Sequence, residues 1–361
     1  MINKKILSIC IPTYNRANLL NRLLGMLESE LLDIHDDVEI CISDNCSTDG
    51  TQKVCLDWQK KLPLIYSKTS ENLGYDRNAL NVIKMAYSKY LWFMGDDDLV
   101  VKDSVRKLVA SIANVDLGVV YLNSFFRNQW VLNFDFKDFC IFRKEELKIP
   151  LNLSFGGGIC LNRLVVLDII DNLIEEREGK LYKKNFGDFV FHDFIHTYLF
   201  LECLVKHGFV GIAPLIGMEY MSGLGVSYKK KFYLELLMLA YILEMKKYYP
   251  WFNEDVAGKF SLKSHFARLA IVIEDSSLEA EYCTNYNALL ELLAIEKKPI
   301  HIAIVKFSEM SRKLPFLRWF WIILYKIVQG KFCAKFNSEQ DQNVILTENF
   351  AYLIHRTNEL L

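Results

Sequence analysis

Up to residue 125, short apolar runs alternate with longer stretches whose apolar residues recur every three to four positions. That alternation restricts the chain to few folds. The short runs are Lys5–Ile11, Val38–Ser43, Leu64–Ser67, Tyr90–Met94 and Gly118–Leu122, each of strand length. The longer stretches predict helices. One carries Leu19, Leu20, Leu23, Leu24, Leu27 and Leu31; one begins at Asp49 and sets Val54, Cys55 and Trp58 on one face. One runs from Asp76 to Tyr87 with Asp76 as its N-cap, and one carries Val105, Leu108, Val109 and Ile112. Strands alternating with helices predict parallel pairing in a sheet covered on both faces, an α/β fold.

The pattern changes further on. Aromatic residues crowd Phe125 to Phe142, as in a hairpin or irregular insertion, and Phe155 to Cys160 carries three glycines. Phe191–Lys206 reads as an apolar helix, and Phe209–Tyr220 as two short strands around Pro214. From Phe232 the period is helical, interrupted near Pro250, Pro299 and Pro315. A chain of 361 residues suits two domains. The predicted division is 1–225, in which 1–125 and 126–225 form two halves, followed by a helical region at 226–361.

Composition excludes several classes. With 52% hydrophobic and 24% charged residues, the chain is not a disordered one. A net charge of −1 gives no chain-wide attraction for nucleic acid, so none is expected as a partner. The nine cysteines form no CxxC pair and no zinc spacing; Cys10, Cys41 and Cys203 lie in apolar runs and are expected as buried thiols in a reducing cytosol. The amino-terminal apolar stretch is too short for a signal peptide, and no uncharged apolar run is long enough to predict a transmembrane helix.

Open parallel sheets bind ligands at the carboxyl ends of their strands. Four polar loops therefore converge in expectation: Pro12-Thr13-Tyr14-Asn15-Arg16, Asp44 to Gly50, Glu71 to Asn78, and Gly95-Asp96-Asp97-Asp98. Asp-rich turns also cap helices for local hydrogen-bonding reasons. Three consecutive carboxylates after an apolar strand nevertheless need positive compensation, and a hard cation, Mg²⁺ or Mn²⁺, takes one or two carboxylates with phosphate oxygens completing its shell.

IPTYNR, DNCSTDGT, NLGYDRN and WFMGDDD, in this order, resemble the inverting family 2 glycosyltransferases of the GT-A fold. The resemblance covers residues 4–125 well and 126–225 loosely. It implies a mostly parallel, Rossmann-like sheet and transfer of one sugar from a nucleoside-diphosphate sugar (UDP, dTDP, GDP or CDP type). The acceptor would be a glycan or lipid-linked oligosaccharide. The Gly-Asp-Asp-Asp form is similar to the abequosyltransferase-like branch, which decorates bacterial surface polysaccharides such as O-antigen and capsule. By the same resemblance Pro12, Thr13, Tyr14, Asn15 and Arg16 line the nucleotide pocket, with Asn72 beside them. Asp44 meets the base or ribose, and Arg77 reaches the base or diphosphate. Asp96 and Asp97 hold the ribose side, and Asp98 with Asp96 holds Mn²⁺ or Mg²⁺. Family members often have Asp-x-Asp-Asp here, so Gly95 takes the place of the first Asp.

An inverting transfer also needs a base for the acceptor hydroxyl, which in this family commonly starts a helix as Glu-Asp. No Glu-Asp stands near residues 180–200. Asp193 matches its second position, with His192 and Asp188 as the other candidates. His192 and His196 also have metal spacing on a helix, but lack a third ligand and read as structural histidines. Gly157 and Gly158 resemble the glycine segment bordering the acceptor, with Arg163 as a further contact to diphosphate or acceptor.

Between Met310 and Ser338 stand Arg312, Lys313, Arg318, Lys326, Lys331 and Lys335 without one acidic residue, around Trp319-Phe320-Trp321. Such a segment suits an interfacial helix on the inner face of the cell membrane, a core helix with snorkelling ends, or a homo-oligomer interface. Two further readings keep the fold. A nucleotidyltransferase would need a Gly-rich first loop, which Pro12–Arg16 lacks. A non-catalytic glycan-binding or assembly subunit would have no need of the Asp triplet.

Overall fold

The structure, a computed structural model, describes residues 5–126, 129–130, 134–146, 156–184 and 195–219. In chain order the elements are β1 (Leu7–Thr13), α1 (Ala17–Leu31), β2 (Val38–Asp44), α2 (Thr51–Trp58), β3 (Leu64–Lys68), α3 (Tyr75–Met85), β4 (Tyr90–Phe93) and β5 (Leu99–Val100). There follow α4 (Ser104–Ile112), β6 (Val119–Phe126), β7 (Gln129–Trp130), β8 (Cys140–Arg143), β9 (Ile159–Asn162), α5 (Arg163–Leu173), β10 (Ile174–Arg177), β11 (Lys180–Lys183), α6 (Ile195–His207) and β12 (Phe209–Glu219).

A ten-stranded sheet runs β3-β2-β1-β4-β9-β6-β12-β5, with β7 beside β6 and β8 beside β12. β1 pairs in parallel with β2 and β4, and β2 with β3, so four successive strands end on one edge. The period of two decides which helix covers which face. Leu7, Ile9 and Ile11 of β1 join the buried leucines of α1 and the apolar residues of α4. Cys10 points to the other side, with Cys41 and the apolar residues of α3, α5 and α6. In α1 the face is made by Leu20, Leu23, Leu24, Leu27 and Leu31, each essentially inaccessible to solvent. Full burial of a leucine is worth about 1.5–3 kcal/mol.

The structure departs from the sequence expectation in three places. β6 does not pair with β4; β9, antiparallel to both, lies between them. Phe209–Glu219 is one strand rather than two, with a register irregularity between Ala213 and Gly217 that takes up Pro214. A Cβ on Gly217 would stand 1.7 Å from the Asn123 carbonyl oxygen, so this close approach requires glycine. Third, Asp76 does not cap α3. Gly74 stands at that N-cap with a φ of 78°, and Asp76 lies inside the first turn.

The aromatic segment does form a hairpin, with Phe125 opposite Trp130. Cys10, Cys41 and Cys203 are buried thiols, and burial pushes each well above the ordinary thiol range. Among the described residues no helix is long and apolar enough to cross a membrane. The expected helical region 226–361, including 310–338, lies outside the described residues.

Candidate active site

The carboxyl ends of β1, β2, β3 and β4 form one rim, and hydrogen bonds between side chains and loop backbone knit it together. Thr13, the last residue of β1, donates its hydroxyl to Asp96 Oδ2 at 2.7 Å. Asn15 adopts a left-handed φ of 53°, which asparagine tolerates better than most residues. Its backbone N–H donates to Ser47 Oγ (2.8 Å), and its Oδ1 accepts from Thr48 N–H (2.8 Å). The first loop is thereby locked to the second. Arg16 N–H reaches Thr51 Oγ1 at 3.3 Å, and Tyr14 is 43% exposed at the edge. Pro12 pairs with Ser43 inside the sheet.

Asp44 ends β2 with no solvent exposure. Its carboxylate accepts from the Ser47 N–H and the Tyr66 hydroxyl, each at 2.8 Å. Burial, then the bond to Asp44, raises the Tyr66 phenol far above its ordinary range, so it stays a donor. Asn45 joins the second loop to the third. Its Nδ2 donates to Asn72 Oδ1 (2.8 Å) and the Gly74 carbonyl (3.3 Å), and its Oδ1 accepts from Leu73 N–H (2.7 Å). Asn78 draws the start of α3 onto the strand ends, exchanging hydrogen bonds with Ser43 at 2.7 and 2.9 Å. Arg77, one residue before it, pairs with Glu176 Oε1 of the β10–β11 hairpin at 2.9 Å.

The Asp triplet follows β4 as a tight turn. Burial pushes the Asp96 carboxyl up to about 7, with the Asp97 charge acting the same way and Thr13, Arg16 and the Tyr14 amide opposing it. Asp98 is 6% exposed and accepts the Gly95 N–H at 3.0 Å. A Cβ on Gly95 would stand 2.7 Å from Asp98 Oδ2 and 3.1 Å from Asp97 Oδ1. Two carboxylate oxygens thus converge over the one residue that carries no side chain, which gives a physical reason for glycine where the resemblance suggested Asp. From α1, Arg22 donates to the Asp97 carbonyl at 3.0 Å and steadies the turn.

Among the described residues no group of three or more His, Cys, Asp and Glu is arranged to hold a metal ion. The donor chemistry of the Asp turn by itself still suits a hard cation. Asp96, Asp97 and Asp98 offer carboxylate oxygens from one turn, and Mg²⁺ characteristically takes one or two such ligands and completes its shell with phosphate.

Gly157 and Gly158 come to the same rim. They immediately precede β9, which runs antiparallel to β4 with Cys160 opposite Trp92, and the buried Trp92 indole donates to the Gly157 carbonyl at 2.8 Å. Arg163 does not come there. Asn162 lies opposite Tyr90, the first residue of β4, and Arg163 bonds the Ala86 carbonyl (2.5 Å) at the far edge of the sheet. Asp188, His192 and Asp193 lie outside the described residues. His196 is buried at 4% exposure against Phe93 and Tyr75, as expected of a structural histidine. Sequence reasoning gave no role to Asn45, Ser47, Tyr66 or Asn78. Asn45, Ser47 and Asn78 stand in loops already singled out, but each has a partner on another element, which one sequence does not reveal.

A nucleotide-sugar transferase fold of the GT-A type has this sheet and this rim. Residues 8–165 match the family described as Glycosyl transferase family 2. Abequosyltransferase RfbV of Salmonella typhimurium is 44% identical over 105 residues, 28% of this chain and 31% of that protein. The match therefore spans under a third of that relative's length. Staphylococcus aureus TarS 1–349, solved in complex with UDP-GlcNAc, superposes with a TM-score of 0.51 at 16% identity, covering 85% of this chain and 91% of that one. The mannosyltransferase PcManGT of Pyrobaculum calidifontis, solved with GDP-Man and Mn²⁺, gives a TM-score of 0.50 at 14% identity, covering 86% and 88%. At these identities the two structures share the fold with this chain.

Proposed function

We propose that the chain transfers one sugar from a nucleoside-diphosphate sugar to a glycan or lipid-linked glycan, with inversion at the anomeric carbon, in bacterial surface-polysaccharide synthesis. The observation that carries the reading is the convergence, within the region that matches family 2, of the Asp44 carboxylate, the Asp96–Asp98 turn and Gly157-Gly158 on one edge of the sheet. The names of similar proteins support it: an abequosyltransferase, and structures holding UDP-GlcNAc or GDP-Man.

In this reading Asp44, an acceptor-only group, takes an N–H of the base or a hydroxyl of the ribose. Thr13 orients Asp96 toward the ribose or the cation, and Arg77, paired with Glu176 until the donor arrives, serves the diphosphate. Asp96 and Asp98, with Asp97 beside them, would hold a divalent ion, which would supply positive charge where the leaving diphosphate gains negative charge. Gly157 and Gly158 leave room for the acceptor. Asp193, with His192 and Asp188 as alternatives, removes the acceptor proton. The chain works in the cytosol, with the basic segment 310–338 resting on the inner membrane face.

The test is a panel of UDP-, dTDP-, GDP- and CDP-sugars incubated with the protein and Mn²⁺ or Mg²⁺, with and without a glycan acceptor, read as nucleoside diphosphate released. Release from one nucleotide class, lost in excess EDTA, is expected, with a β-linked product from an α-linked donor. Silence across the panel together with no donor binding overturns the reading. A product retaining the donor's anomeric configuration overturns inversion.

A further inference from the structure

We propose that Glu176 is a positioning residue that competes with the donor diphosphate for Arg77 and so sets donor affinity; this rests on the transferase reading above. α5 carries the β10–β11 hairpin back to the start of α3. That helix begins at Arg163, on the far edge of the sheet, and its 11 residues span about 16 Å. Its last residue is tied to the end of the hairpin, where the Leu173 carbonyl accepts the Lys184 N–H at 2.8 Å. The hairpin turn is tight. Arg177 stands opposite Lys180, and the two residues between them, Glu178 and Gly179, have φ of 52° and 75°. Two-residue turns with both φ positive match the twist of the strands they join, so Glu176 is presented by a fixed strand rather than a loose loop.

The strand period of two puts Ile174 and Glu176 on one face, with Leu181 opposite Glu176. Ile174 and Leu181 are buried in the core that also holds Ala79, Leu80, Val82 and Ile83 of α3. That packing turns the face toward α3 and leaves Glu176 beside Arg77, whose Nη2 lies 2.9 Å from Glu176 Oε1. The turn closes on the same guanidinium, since a Cβ on Gly179 would stand 3.9 Å from Arg77 Nη1. Arg77 belongs to the first turn of α3, and its neighbour Asn78 holds that turn to Ser43 at the strand ends. The cation proposed for the diphosphate is thus engaged by a carboxylate of another element. A guanidinium binds carboxylate and phosphate through the same planar donors, so the two compete for it. The side chains of Arg77 and Glu176 are 28% and 47% exposed, and an ion pair in that setting is cheap to break. A diphosphate, with more charge than one carboxylate, displaces Glu176. Glu176 takes Arg77 back as the nucleoside diphosphate leaves.

The test titrates the full chain with UDP, dTDP, GDP and CDP, and with the nucleoside matching the one that binds, in wild type, Glu176→Gln, Arg77→Ala and the double variant. Glu176→Gln is expected to bind the nucleoside diphosphate about two- to fivefold more tightly, the range that an exposed ion pair allows. It is expected to bind the nucleoside, which has no phosphate, as wild type does. Donor KM is expected to fall by the same factor with kcat unchanged. In the Arg77→Ala background the substitution is expected to have no effect. Unchanged or weaker diphosphate binding in Glu176→Gln overturns the competition. So does a gain that extends to the nucleoside, or one that persists without Arg77. If wild type binds none of the four diphosphates, the transferase reading falls and the competition with it. If wild type binds one and Glu176→Gln binds it equally, the competition alone falls.

Discussion

Asp96 illustrates how a desolvated carboxylate works against the stability of its own fold. It holds its proton until about pH 7, whereas an unfolded chain releases it near 3.9. Between these values the folded state binds more protons. Its contribution is therefore fully present below about pH 4, declines as pH rises, and is lost above 7. Asp96→Asn, neutral at every pH, is expected to raise the melting temperature by about 2–4 °C at pH 8 and to give little gain at pH 4.5. Melts of both proteins in EDTA measure this, and an equal shift at the two pH values would refute the assignment of the effect to charge. The same variant is expected to weaken Mn²⁺ affinity and slow donor turnover. At this scale the sequence was informative where a residue's chemistry is visible in its type, as in the Asp triplet. It gave no individual role to Tyr66 or Asn78, whose importance comes from partners 22 and 35 positions away.

Elements were legible wherever periodicity was strong, which holds for the first four strands and their helices. Neighbour relations were less so. Nothing in Ile159–Asn162 announces that it runs backwards between β4 and β6, because a fully buried strand looks alike in either direction. Asp76 misled for a related reason. Its type and place suit an N-cap, but it lies inside the first turn of α3, and its Oδ1 accepts the Ile195 N–H, 119 residues later. A similar long-range tie holds the amino-terminal edge of the sheet. Glu39, 5% exposed, accepts at Oε1 from Ser8 Oγ (2.5 Å), Tyr87 N–H (2.7 Å), Ser88 Oγ (2.9 Å) and Ser88 N–H (3.0 Å). One carboxylate thus joins β1, β2 and the turn into β4. Glu39→Ala orphans the Tyr87 N–H, leaves the Ser88 N–H only its 3.2 Å bond to Ser8 Oγ, and is expected to cost about 2 kcal/mol, with Glu39→Gln, which keeps an oxygen, losing much less. Denaturant midpoints report the difference. Glu39 stands five residues from Asp44 along an extended strand, about 16 Å, so activity per folded molecule is expected to be unchanged.

At the scale of the whole molecule, the rim faces a substrate problem as well as a chemical one. In the proposed function a soluble donor diffuses freely, but a lipid-linked acceptor would confine transfer to a surface. The segment from Met310 to Ser338 has the composition to hold the enzyme there, with cations at Arg312, Lys313, Arg318, Lys326, Lys331 and Lys335 around Trp319-Phe320-Trp321. Each basic residue near an anionic leaflet contributes about 1 kcal/mol. Apolar burial adds about 25 cal/mol per Å². Even with half of this lost, attachment is expected to be reversible and salt-sensitive, since surface attraction decays within a Debye length of about 8 Å at physiological salt. The full chain is expected to sediment with phosphatidylserine-rich vesicles at low salt, to be largely released at high salt, and to ignore neutral vesicles. Trp319→Ala with Trp321→Ala should weaken sedimentation while leaving hydrolysis of a soluble donor unchanged, because the loops proposed to hold the donor lie within residues 12–98. If the double variant loses donor hydrolysis or unfolds, these tryptophans belong to the protein core and the attachment must be sought elsewhere.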